Sequence, residues 1–134
     1  MTNRMLKNGS SLSWGLLALL GSCATAEKFT ALPMMQRDNH TSYADEETSS
    51  GFTLFVNYSR YQHIPESNAV DQAATSQMLA LAYEVAEQRG RKIERVNEQR
   101  IRKSMGRNAF SGITSWSGMV PVVYVDETPP ATRN

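Results

Sequence analysis

The chain has 134 residues, with 14 basic against 13 acidic side chains, two histidines and one cysteine. A net charge of +1 excludes a protein that coats nucleic acid through bulk charge, and a lone cysteine excludes a fold braced by internal disulfides. The length allows one domain.

The chain opens on Arg4 and Lys7, with no acidic residue before Glu27, and runs into the apolar stretch Leu12-Ser13-Trp14-Gly15-Leu16-Leu17-Ala18-Leu19-Leu20. That stretch falls short of the roughly 20 apolar residues a bilayer span needs. A cationic lead, a short apolar centre and a small-residue exit are the parts of a secretory signal peptide, so the sequence predicts export. Two cuts stay open. Ala24-Thr25-Ala26 suits an ordinary signal peptidase, giving a leader of 1–26 and Glu27 as the first mature residue. Leu20-Gly21-Ser22-Cys23 instead resembles a bacterial lipobox, in which the cysteine sulfur receives a diacylglycerol after a leader of 1–22. The first cut gives a soluble periplasmic or secreted product. The second gives a lipoprotein whose membrane contact is the acyl anchor on Cys23.

Residues 27–50 read as a flexible polar tether, with Phe29, Leu32 and the Met34-Met35 pair as the residues able to dock, because RDNHTSYADEETSS shows neither helical nor strand period. Residues 126–134, with Pro129-Pro130, read as a disordered tail. Between them, 51–125 is the expected compact domain. At that size a core without staples is marginal, which favours packing against a partner or a second copy.

Inside the domain, Phe52, Leu54, Val56 and Tyr58 alternate with Thr53, Asn57 and Ser59, which predicts a half-buried strand over 52–61. HIPESN turns the chain. Val70, Ala74, Met78, Leu81 and Val85 then recur at helical spacing, widened by Ala82 and Ala86. Ser67 or Asn68 is the expected start cap and Gly90 the expected stop. Beyond Gly90, the spacing favours a strand near 91–97, a bend at Asn97-Glu98 and a second exposed strand toward Gly106, with a second helix as the other reading. AFSGITSWSGMVPVVYV is rich in strand formers; Gly112 and Gly118 mark bulges or bends, and Pro121 an edge or a break. The predicted fold is α+β: a small antiparallel sheet with one main helix on one face, in the order strand, helix, strands.

Charge is unevenly placed. Residues 27–88 hold three basic and nine acidic side chains, whereas 89–107 hold eight basic and two acidic ones. Arg89, Arg91, Arg95, Arg100, Arg102, Lys103 and Arg107 are the candidate contacts for an anion or an acidic partner, since the arginine fork pairs with phosphate and carboxylate. Balancing of the acidic helix by these charges is the plainer reading. Nucleophilic catalysis lacks a thiol and a nucleophile elbow, and no residue is assigned a catalytic role. His40 falls in the tether. His63, in the turn before the helix and close to Glu66, is the one candidate base. No metal-ligand spacing is present, and no cofactor is implied.

Two functions follow. The first is a non-enzymatic envelope protein that binds or assembles with an envelope protein or anionic component, self-association included. The second is a small envelope hydrolase or transferase using His63 with Glu66.

Overall fold

A computed structural model describes residues 26–125. Residues 1–25, which include most of the expected leader and Cys23, and residues 126–134, the expected tail, lie outside the described residues.

The fold is the expected α+β arrangement. Five antiparallel strands, β1 (Met35–Gln36), β2 (Thr41–Glu47), β3 (Gly51–Tyr61), β4 (Arg102–Asn108) and β5 (Ile113–Val123), form one sheet in the order β1-β2-β3-β5-β4. Helix α1 (Ser67–Gln88) packs on one face, against β3 and β5. Alternation along β3 turns Phe52, Leu54, Val56 and Tyr58 toward the helix. Their cross-strand neighbours Val122, Val120 and Trp116 share that face. The helix contributes Val70, Ala74, Met78, Leu81, Ala82, Val85 and Ala86, the predicted stripe residue for residue. Its alanines let the helix axis come close to the sheet.

Helix α1 stops as expected and starts differently. Gly90 has φ 65°, its N–H donates to the Glu87 carbonyl at 3.0 Å, and Arg91 N–H donates to the Ala86 carbonyl at 3.0 Å. This pair of bonds satisfies two carbonyls that the helix leaves open, and the glycine tolerates the left-handed φ. At the start, the capping position is Glu66, and its side chain makes no capping bond. Ser67 and Asn68 are instead the first and second residues inside the helix. The entry is held by the buried Gln62, whose Nε2 donates to the Glu66 carbonyl at 2.9 Å and whose Oε1 accepts from Thr114 Oγ1 at 2.7 Å.

Residues 41–47, expected within the tether, form β2, paired along its whole length with β3. The acidic side chains that make the segment look like a linker are held by the helix end. Arg89 bonds Asp45, lies 2.9 Å from Glu47 Oε1 and donates to Tyr124 Oη at 3.1 Å; Tyr124 in turn donates to Glu47 at 3.0 Å. Residues 26–34 are also docked. Glu27 N–H donates to Ser104 Oγ on β4 at 2.9 Å, while Met35 already pairs with Tyr43 of β2 near the opposite edge. The intervening residues therefore form a strap across the face opposite the helix. Phe55 and Ala44 point to that face and are buried.

The strand expected near 91–97 is reduced to one bridge, Ile93 to Tyr124, while β4 forms as expected. Pro121 supplies the reason. β4 pairs β5 only as far as Met119, and the bridge resumes at Tyr124, so the edge is interrupted where β5 lacks an N–H donor. The chain bypasses the gap through a 3-10 turn, Glu98–Arg100, capped by Asn97 Oδ1 accepting from Gln99 N–H at 3.0 Å. The glycines divide. Gly112, at φ 71°, lies in the turn between β4 and β5. Gly118 is neither bulge nor bend: it stays in register between Val56 and Lys103, and the Trp116 indole occupies the space its side chain would need.

Candidate functional site

The basic run does not make one patch. Arg89 is consumed by the Asp45, Glu47 and Tyr124 cluster. Burial pushes its guanidinium pKa down, but the bond to Tyr124 and the charges of Asp45 and Glu47 outweigh this and hold it above its ordinary value. Arg91 lies over the Tyr124 ring, 3.9 Å from its centroid, at the same end of the sheet. Arg95 and Arg100 are exposed on the segment that bypasses Pro121. Arg102, Lys103 and Arg107 line β4. Alternation splits them: Arg102 faces the strap, 5.9 Å from the Phe29 ring centroid, whereas Lys103 and Arg107 lie on the helix side. Lys103 is paired with Asp71 at 2.6 Å, and Arg107 donates to the Gln62 carbonyl at 3.3 Å.

What the fold does bring together is a cationic edge. β4 is the terminal strand, and among the described residues no backbone hydrogen bond reaches its outer side over Arg102–Arg107. Arg100, Arg102, Lys103 and Arg107 sit along this edge, with no acidic residue between Glu98 and Asp126. At the far end of β4 the surface turns apolar. Phe110 is 92% exposed, Ile64 69% and Tyr61 62%, and Tyr61 is paired with Ile113. Strand β3 and the turn after β4 place all four at one end of the sheet. Phe110 is presented on a turn built by Asn108, whose Oδ1 accepts from the N–H groups of Phe110 and Ser111 at 2.9 and 3.3 Å.

A second feature was not anticipated. Beside the strap, the face away from the helix holds a groove of about 450 Å³, lined by Lys28, His40, Ser42, Asn57, Ser115 and Ser117 among others. The register explains its chemistry: Ser42, Asn57, Ser117 and Ser104 stand directly across from one another on four adjacent strands. Ser59 and Ser115 form the next pair. Ser117 Oγ donates to Asn57 Oδ1 at 3.0 Å, leaving the Asn57 amide N–H₂ without a protein partner among the described residues. His40, expected in a loose tether, has Nδ1 3.0 Å from the Ser59 carbonyl, and its backbone N–H donates to Asp38 at 2.8 Å. A donating Nδ1–H leaves Nε2 as an acceptor. The signal for this groove was present in the sequence as the polar alternate positions Asn57, Ser59, Ser115 and Ser117. Without the strap in place they read as an ordinary solvated face.

His63 is exposed and makes no hydrogen bond to Glu66 among the described residues. The pair that a hydrolase reading requires is therefore not assembled. Among the described residues no group of three or more His, Cys, Asp or Glu side chains converges as metal ligands, and no helix is long and apolar enough to cross a membrane. No family model, curated protein or solved structure matches the chain.

Proposed function

We propose that the chain is an exported, non-enzymatic envelope protein that docks an acidic, extended segment of a partner protein along β4. The observation that carries this reading is the open cationic strand edge ending in the exposed Tyr61, Ile64, Phe110 and Ile113. An added strand takes its affinity from main-chain hydrogen bonds and its selectivity from side chains. An acidic residue of such a strand that points to the strap side would meet Arg102, whereas on the other face Lys103 is already paired with Asp71. A second copy fits poorly, because antiparallel pairing of two β4 edges sets like charges opposite one another. The apolar end supplies the aromatic anchor that interfaces concentrate their energy on, and the charges steer encounter.

A photoreactive residue in place of Phe110, in the native host, should form an adduct with one envelope protein. Arg100→Glu with Arg102→Glu should reduce the adduct at least about tenfold, as loss of close interfacial charge pairs does. Arg107 is left out of the variant because its Nε is buried against the fold. No adduct, an adduct with the chain itself, or one unchanged by charge reversal would refute the reading.

Export carries its own test. The intact mass of the mature protein should begin at Glu27, or at Cys23 with added acyl mass, and an unprocessed chain would refute export. In the lipidated form only Ala24 to Ala26 separate the anchor from the docked strap, roughly 10 Å when extended. The domain would then work close to the bilayer.

A further inference from the structure

We infer that the groove between the strap and the second sheet face is a binding site for an acidic saccharide. This site lies on the face away from the helix and does not use the outer backbone edge of β4, although the strap that walls it is anchored on Ser104 of that strand. Its lining combines Ser42, Ser115 and Ser117 hydroxyls with the Asn57 amide and the His40 ring. Hydroxyls and amides both donate and accept, as the hydroxyls of a sugar ring do. The free Asn57 N–H₂ offers donors and His40 Nε2 an acceptor, so a ligand that only donates or only accepts leaves part of the site unpaired.

The lining contains one permanent cation, Lys28, and no carboxylate. That charge selects a sugar bearing a carboxylate over a neutral one. The volume of about 450 Å³ falls within the range of small-molecule sites and suits a short oligosaccharide segment. The floor is rigid because its residues sit on β2, β3 and β5, paired in continuous register. The wall is the strap, whose position is set by Glu27 on Ser104 and by β1 on β2.

The test is titration of the isotopically labelled mature protein, followed by amide chemical shifts. The probes are a glucuronic-acid disaccharide, the neutral disaccharide cellobiose, and inorganic phosphate. Saturable shifts at Ser42, Asn57 and Ser117 are expected with the uronate, weaker ones with cellobiose, and none in that pattern with phosphate. Asn57→Ala should weaken uronate binding about tenfold, the effect of losing a buried hydrogen bond to a ligand. Lys28→Gln should bring the uronate down to the level of cellobiose. Because Asn57 also accepts from Ser117, Ser59→Trp serves as a second variant: it adds bulk at an exposed strand position bordering the groove and should block binding with the fold intact. Absence of saturable shifts, shifts mapping away from the groove, phosphate reproducing the uronate pattern, or binding that survives Ser59→Trp would each overturn the inference.

Discussion

Alanine in place of Gly51 is expected to destabilise the protein by more than about 3 kcal/mol, a large share of the roughly 5–15 kcal/mol that holds a domain folded. A Cβ at this position would fall inside the Val122 carbonyl and within 2.9 Å of the Val123 Cα, all backbone atoms of β5. Backbone in a central strand cannot swing aside as a side chain can. Relief would require β3 and β5 to part at the end where Tyr124 N–H donates to the Ser50 carbonyl at 2.9 Å and Thr48 N–H donates to the Gly51 carbonyl at 2.9 Å. Gly90 gives the contrast. It has open space around the Cβ direction and a left-handed backbone, so alanine there should cost only about 1 kcal/mol. Urea unfolding of the two variants checks the pair, and a Gly51→Ala midpoint no lower than that of Gly90→Ala would contradict the packing described.

Trp116→Ala should cost about 3–5 kcal/mol, the usual result of truncating a fully buried large aromatic. The indole is wholly buried, lies over Gly118, and donates Nε1–H to Asp71 Oδ1 at 2.9 Å. Trp116→Phe keeps most of the apolar area and removes the bond, so about 1 kcal/mol of its smaller loss reports on the bond to Asp71. Burial pushes the Asp71 carboxyl up, but hydrogen bonds from Lys103 and Trp116 and the Lys103 charge hold it below its ordinary value. A depressed carboxyl stabilises the fold above its unfolded pKa, and that contribution is lost as pH falls through the folded value. The stability gap between wild type and Trp116→Phe should therefore narrow on acidification below the usual carboxylate range. Thermal unfolding at neutral and acid pH measures it, and a gap that widens in acid would assign the wrong sign to the interaction.

Asp71 shows how the same residue reads differently at two levels. In the sequence it is one charge on the polar side of an amphipathic helix. In the fold it joins α1 to β5 through Trp116 and to β4 through Lys103. The basic run behaves alike. Its composition was plain, yet strand alternation sends Arg102 and Lys103 to opposite faces, and Arg89 is spent on β2. Only Arg100 and the residues of β4 remain on one edge. The groove depends on the strap, and neither His40 nor Lys28 has a local pattern that marks it as part of a site.

Local periodicity was enough to determine the strand over 52–61, the buried stripe of α1, its glycine stop and an interruption of edge pairing at Pro121, because these follow from side-chain spacing and backbone chemistry within a few residues. The fate of 26–50 was decided by tertiary structure. A polar, acidic segment has no reason to fold alone, and β2 exists because Arg89, more than forty positions away at the helix end, meets Asp45 while β3 supplies the hydrogen-bonding edge.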